Sequence, residues 1–150
     1  MALTLCALAS CSSAQRGPGG TVSKVKIYRL DPTQRLKGGD PAIRFEKQHY
    51  LYGAITHAEQ MNRAGQYYNV FWKVDDRSQP VTVRFEYRQR ETGLKVKTKE
   101  VEITDVRRSN VTDFQVTGEE FNTDGPVTAW RASIVRGKEQ LVGYESFLWN

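Results

Sequence analysis

The chain has no long apolar run. No stretch of its 150 residues approaches the roughly 20 consecutive apolar positions of a spanning helix, and the only apolar cluster lies within the first eleven residues. Cysteine is scarce: there are two, Cys6 and Cys11, both in that cluster. The rest of the chain must hold its core without a disulfide and offers no thiol for redox or metal chemistry. Histidine is equally scarce, with His49 and His57 alone, so a three- or four-ligand metal centre lacks its usual donors. Several catalytic motifs are missing: a Gly-x-Ser-x-Gly elbow, a glycine-rich phosphate loop and an H-E-x-x-H pair. These absences argue against an enzyme and against a bound cofactor.

The charge is present but scattered. Twenty-two Lys and Arg against 17 Asp and Glu give a net charge of +5, spread along the chain instead of gathered in runs. Arg84, Arg88, Arg90, Lys95, Lys97 and Lys99 could line one basic sheet face, but Glu86 and Glu100 dilute it. A solvated edge that resists aggregation fits this pattern better than a nucleic-acid surface. Asp75 and Asp76 sit in a turn segment, where aspartate is favoured for local hydrogen bonding. Glu119, Glu120 and Asp124 could gather oxygens around a cation, but their spacing is not that of a calcium loop.

The N-terminus reads Met-Ala-Leu-Thr-Leu-Cys-Ala-Leu-Ala-Ser-Cys. Leu8, Ala9, Ser10 and Cys11 resemble the lipobox of bacterial lipoproteins: an aliphatic residue, two small residues and the cysteine that takes the lipid. The preceding segment is shorter than an ordinary signal and carries no Lys or Arg. The resemblance implies a diacylglycerol thioether on Cys11, cleavage before it, and anchoring by two or three acyl chains. It divides the chain into a signal segment, 1–10, a lipidated cysteine with a flexible tether, 11–21, and a folded domain, 22–150. The tether assignment rests on Ser12 to Thr21, which are small, polar and rich in Gly and Pro. Ser12 in place of Asp next to the cysteine points to the outer membrane, facing the periplasm. In such a place nucleic acid is not a partner. The partners implied are the membrane, through the lipid, and an envelope protein or glycan.

From Val22 onward, β-branched and aromatic residues alternate with charged ones. Val81 to Arg90 puts Val81, Val83, Phe85 and Tyr87 on one face and Thr82, Arg84, Glu86 and Arg88 on the other. Tyr67 to Val74 places Tyr68, Val70, Trp72 and Val74 together. Leu94 to Val106 slips phase between Val96 and Val101, which predicts a bulge or break near Lys99. Val111 to Thr117 is a further strand. Val127 to Val135 and Leu141 to Trp149 form a terminal hairpin. A loop of Gly137, Lys138 and Glu139 sets Ile134 opposite Val142, Ala132 opposite Tyr144, Trp130 opposite Ser146 and Arg131 opposite Glu145. Val22 to Leu30 is a strand, Asp31 to Pro41 a loop, and Ile43 to Ile55 strand-like. Thr56 and Glu59 have the spacing of a capping box, so a short helix is predicted near 57–64, stopped by Gly65.

Seven to nine short strands predict an all-β fold, a two-sheet antiparallel sandwich with Trp72 and Trp130 in its core from facing sheets. A small barrel is the alternative. Tyr67 to Trp149 resembles immunoglobulin-like and fibronectin type III-like domains in strand pattern, without the Cys–Trp–Cys signature of antibody domains. With Tyr68 and Trp72 turned inward, Tyr67 and Phe71 point outward, where Tyr50 and Tyr52 could join them. These four are the candidate binding residues. They form either an exposed aromatic platform or a surface covered by neighbouring segments.

Overall fold

The computed structural model describes residues 14–33 and 40–150. Cys11 and the lipobox lie outside the described residues, as does part of the loop after Asp31. No helix among the described residues is long and apolar enough to cross a membrane.

The described residues form eight strands: β1 (Gln15–Arg16), β2 (Gly20–Leu30), β3 (Gly65–Val74), β4 (Val81–Gln89), β5 (Lys97–Ile103), β6 (Asn110–Thr117), β7 (Val127–Arg136) and β8 (Glu139–Glu145). Three short helices join them: α1 (Pro41–Leu51), α2 (His57–Asn62) and α3 (Gly118–Asp124). One antiparallel sheet has the order β1-β2-β3-β6 and the other β5-β4-β7-β8. Successive strands thus change sheets between β3 and β4, β5 and β6, and β6 and β7. This is a two-sheet antiparallel β-sandwich, with β2, β3 and β6 facing β4, β7 and β8.

The core follows the two-residue alternation. Val81, Val83, Phe85 and Tyr87 of β4 are buried, as are Tyr68, Val70, Trp72 and Val74 of β3. Phe85 is the hub. Its ring centroid lies 4.7 Å from Tyr68, 5.1 Å from Phe114 and 5.5 Å from Tyr87. Trp72 and Trp130 are both buried, one in each sheet. Each buried ring removes some 150–250 Å² from water, on the order of 4–6 kcal/mol apiece, so rings are the source of cohesion among the described residues, which include no cysteine. The Trp72 indole Nε1–H donates to Thr112 Oγ1 at 2.9 Å, which satisfies both buried polar groups.

The terminal hairpin has the anticipated register, with Ile134 opposite Val142 and Arg131 opposite Glu145. The turn differs. Arg136 pairs with Glu139, leaving the two-residue loop Gly137-Lys138, and a register shift between Ile134 and Val135 restores the pairing above it. Gly137 has φ +59°, a value that favours glycine. The Arg131 guanidinium does not meet Glu145. It grips Glu86 on the other neighbouring strand, at 2.6 and 2.8 Å.

Three further expectations need correction. Residues 43–51 are helical, not strand-like. Asp40 caps α1 by accepting from the Ala42 amide at 2.9 Å, and Pro41 occupies the first helical turn. The half-buried positions of α1 are Glu46, Lys47, Tyr50 and Leu51, a helical face that the Tyr–Leu–Tyr alternation at its end obscures. Second, β5 has no bulge. It pairs with β4 without a register shift from Ile103 to Lys97. Lys97 and Lys99 occupy the same face as Ile103 and Val101, opposite Tyr87 and Phe85, and Val96 precedes the strand. Inward-pointing lysines at a sheet edge keep other strands from adding to it. They also split the basic face anticipated from sequence, since Arg84 on the outer face pairs with Glu100 at 2.6 Å.

Third, residues 15–21 pack, where a flexible tether was expected. Gln15 and Arg16 pair with Val22 and Thr21, and β2 begins at Gly20. The Gly19 amide donates to Leu141 O at 3.1 Å, so this segment seals the seam between β2 and β8. A Cβ on Gly17 would sit 2.2 Å from Leu141 O. The glycines that read as flexibility are what permit this close approach. The capping box, by contrast, is as anticipated: Thr56 and Glu59 cap α2 reciprocally.

Candidate functional site

A groove of about 540 Å³ lies on the outer face of the sheet containing β3 and β6. The strand register builds its floor. Tyr28, Tyr67 and Gln115 form one cross-strand row, and Lys26, Asn69 and Asp113 the next. Alternation sends these side chains away from the core. The walls are α1, through His49 and Tyr50, and α2, through Asn62 and Arg63.

Tyr50 holds α1 on the sheet. Its ring is stacked 4.0 Å from Tyr67 and 5.1 Å from Tyr28, with His49 edge-on at 5.3 Å. Arg63 locks the arrangement from the other side. Its Nη1 donates to Tyr50 O at 3.1 Å and also to Tyr52 O, while its own carbonyl accepts from the Tyr67 hydroxyl at 2.7 Å. Burial pushes the Tyr67 phenol up to about 12. Burial also raises Tyr50, with the Glu46 carboxylate adding to the effect.

Of the four candidate binding residues, Tyr50 and Tyr67 meet. Tyr67 is buried and Tyr50 half-buried, so their ring faces are spent on each other and on Tyr28. Tyr52 stands apart at the end of α1, 85% exposed. Phe71 is two rows further along the sheet and lies under Lys24 and Lys26, whose ammonium groups sit 4.8 and 5.7 Å from its ring centroid. The aromatic residues therefore staple a helix more than they form a common platform.

The groove owes its polar character to His49 and to Asn62, Asn69, Asp113 and Gln115, which no sequence motif marks. Asn69 Nδ2 donates to Asp113 Oδ1 at 2.6 Å. The second Asp113 oxygen and the side chains of His49, Asn62 and Gln115 make no hydrogen bond to protein among the described residues, and all line the groove. The alternation of Asp113 and Gln115 with Phe114 and Val116 marks them as outward. Nothing local says that β6 lies beside β3, which is what brings them to Tyr67.

The other titratable clusters are structural. Glu120 and Asp124 converge on an internal cation, the Lys97 ammonium, with Glu120 at 3.2 Å. Asp76 Oδ1 accepts from the Ser78 amide at 2.9 Å and from its hydroxyl at 2.6 Å, a local turn. Among the described residues, no group of three His, Cys, Asp or Glu could hold a metal ion. No protein-family model, curated protein or solved structure matches the chain.

Proposed function

We propose that the chain is a lipid-anchored protein of the bacterial envelope, at the outer membrane, whose sandwich acts as a non-catalytic binding or assembly module through the groove between α1, α2, β3 and β6. The anchor rests on the lipobox at Leu8 to Cys11. The binding role rests on one observation. The second Asp113 oxygen, His49, Asn62 and Gln115 converge, without protein hydrogen-bond partners among the described residues, on a groove whose walls are fixed by the Tyr28–Tyr50–Tyr67 stack. These four side chains are exposed to solvent and open to a ligand, and a few convergent polar groups on a concave surface are the means by which a pocket orients one.

The first reading is an envelope protein as partner. Affinity capture from solubilised envelope should recover a component with the native chain and lose it with Asp113→Ala combined with Gln115→Ala, the variant unfolding at the native temperature. Equal recovery by both, or no partner with either, counts against the groove. A second reading, a glycan ligand, is favoured by the amide, imidazole and carboxylate mixture, which suits hydroxyl donors and acceptors. Calorimetric titration with a panel of envelope glycans tests it. Heat that appears with the native protein and vanishes in the double variant supports it, and no heat across the panel refutes it.

A further inference from the structure

The point where the described chain enters and its most exposed apolar side chain, Phe147, lie at the same end of the sandwich. From Gly19 back to Gln15, the N-terminal segment runs alongside β8: Gly19 at Leu141, Gly17 at Leu141 and Val142, and Gln15 beside Gly143, Tyr144 and Glu145. Just beyond Glu145 come Phe147, 97% exposed, and Leu148, 63% exposed. They are not on a loose end. The Ser146 amide donates to Trp130 O at 2.9 Å and the Trp149 amide to Ser146 O at 3.0 Å, while Trp149 is buried with the Arg88 guanidinium 4.6 Å from its ring centroid. A fixed turn therefore presents two apolar side chains to the outside.

Cys11 precedes Gln15 by four residues, which span at most about 14 Å fully extended. With acyl chains on Cys11, a reading this inference rests on, the entry point cannot leave the headgroup layer by more than that. The neighbouring turn is then held at a high effective concentration against the bilayer. Arg88 braces the turn from behind: it stacks on Trp149 and its Nη1 donates to the Trp149 carbonyl at 3.0 Å.

We infer that the Phe147–Leu148 turn inserts into the interfacial layer of the membrane that anchors Cys11, and so gives the domain one orientation on that membrane. An aromatic and an aliphatic side chain on a braced, exposed turn match the chemistry of that layer.

The test uses the acylated full-length product, purified and reconstituted into phosphatidylethanolamine–phosphatidylglycerol vesicles. An NBD fluorophore is placed at Leu148→Cys or, as control, at Lys138→Cys on the far turn of the β7–β8 hairpin. Brominated lipids should quench the label at 148 severalfold more than the label at 138. Adding Phe147→Asp should remove that difference while the protein stays on the vesicles. Equal quenching at both sites, with Cys11 shown by mass spectrometry to be acylated, overturns the bilayer contact alone. An unmodified Cys11 overturns the anchor and the contact built on it.

Discussion

The Tyr87 hydroxyl donates to Glu120 Oε1 at 2.5 Å, tying the central strand β4 to α3 across the end of the sandwich. Lys97 and Lys99 reach the same carboxylate at 3.2 and 3.1 Å. Gln89, fully buried, donates to the carbonyls of Glu120 and Gly125 and accepts from Lys97 at 2.8 Å. One carboxylate thus bridges two lysines that the edge strand turns inward, with Asp124 and Gln89 completing Lys97 and the Gln115 carbonyl completing Lys99.

Replacing Glu120 by Ala strands the buried Tyr87 hydroxyl and takes one of several acceptors from each lysine: Lys97 keeps Asp124 and Gln89, and Lys99 keeps the Gln115 carbonyl. The expected loss is about 1–3 kcal/mol, the cost of leaving partly buried polar groups unmatched. Urea unfolding measures it, with exposed Glu91→Ala as the control.

The same carboxylate shapes the acid limb of stability. Burial alone would raise the Glu120 carboxyl, but hydrogen bonds from Tyr87, Lys99 and Lys97 outweigh burial and hold it below its ordinary value. A depressed native value means that the stabilisation is complete above the ordinary glutamate range. It is lost as pH falls through the native value, because the unfolded chain takes up the proton first. Unfolding free energy followed downward through that range should fall less steeply in Glu120→Gln than in the native protein. Parallel curves would show that Glu120 does not supply the slope.

Removing the Tyr50 ring should free α1 without unfolding the sandwich. Stacked pairs contribute about 0.5–1.5 kcal/mol each, and Tyr50 makes two. In Tyr50→Ala, amide exchange over residues 41–51 should accelerate while exchange in β4 and β7 stays slow. Uniform acceleration through the core would mean that α1 is part of the cooperative unit.

Gly17→Ala should open the seam between the N-terminal segment and β8. The new Cβ falls 2.2 Å from Leu141 O and 2.7 Å from the Val142 Cα, so backbone must move. A loss of about 1–3 kcal/mol is expected, typical of overpacking, together with loss of protection at the Gly19 amide. An unchanged melting temperature would show that the segment adds nothing to stability.

The sequence alone determined what depends on neighbours a few residues apart. Alternation of two named β3 and β4 and sorted their faces correctly, because water and core lie on opposite sides of a strand. It also anticipated the pairing of Ile134 with Val142, but through an Arg131–Glu145 ion pair that does not form and a three-residue loop that is two residues long with a register shift beside it; the Thr56–Glu59 cap, complete within four residues, was fully local. Tertiary structure decided the rest, because it rests on contacts far apart in the chain. Lys97 and Lys99 broke the apolar pattern of β5, and only α3, about 20 residues later, supplies the carboxylates that let them point inward. The N-terminal glycines looked like a tether until β8, more than 120 residues away, came close enough to need them. Tyr50 and Tyr67 were singled out separately from their alternation, but α1 and the cross-strand rows made them a stack with Tyr28 and set Asp113 and Gln115 beside them.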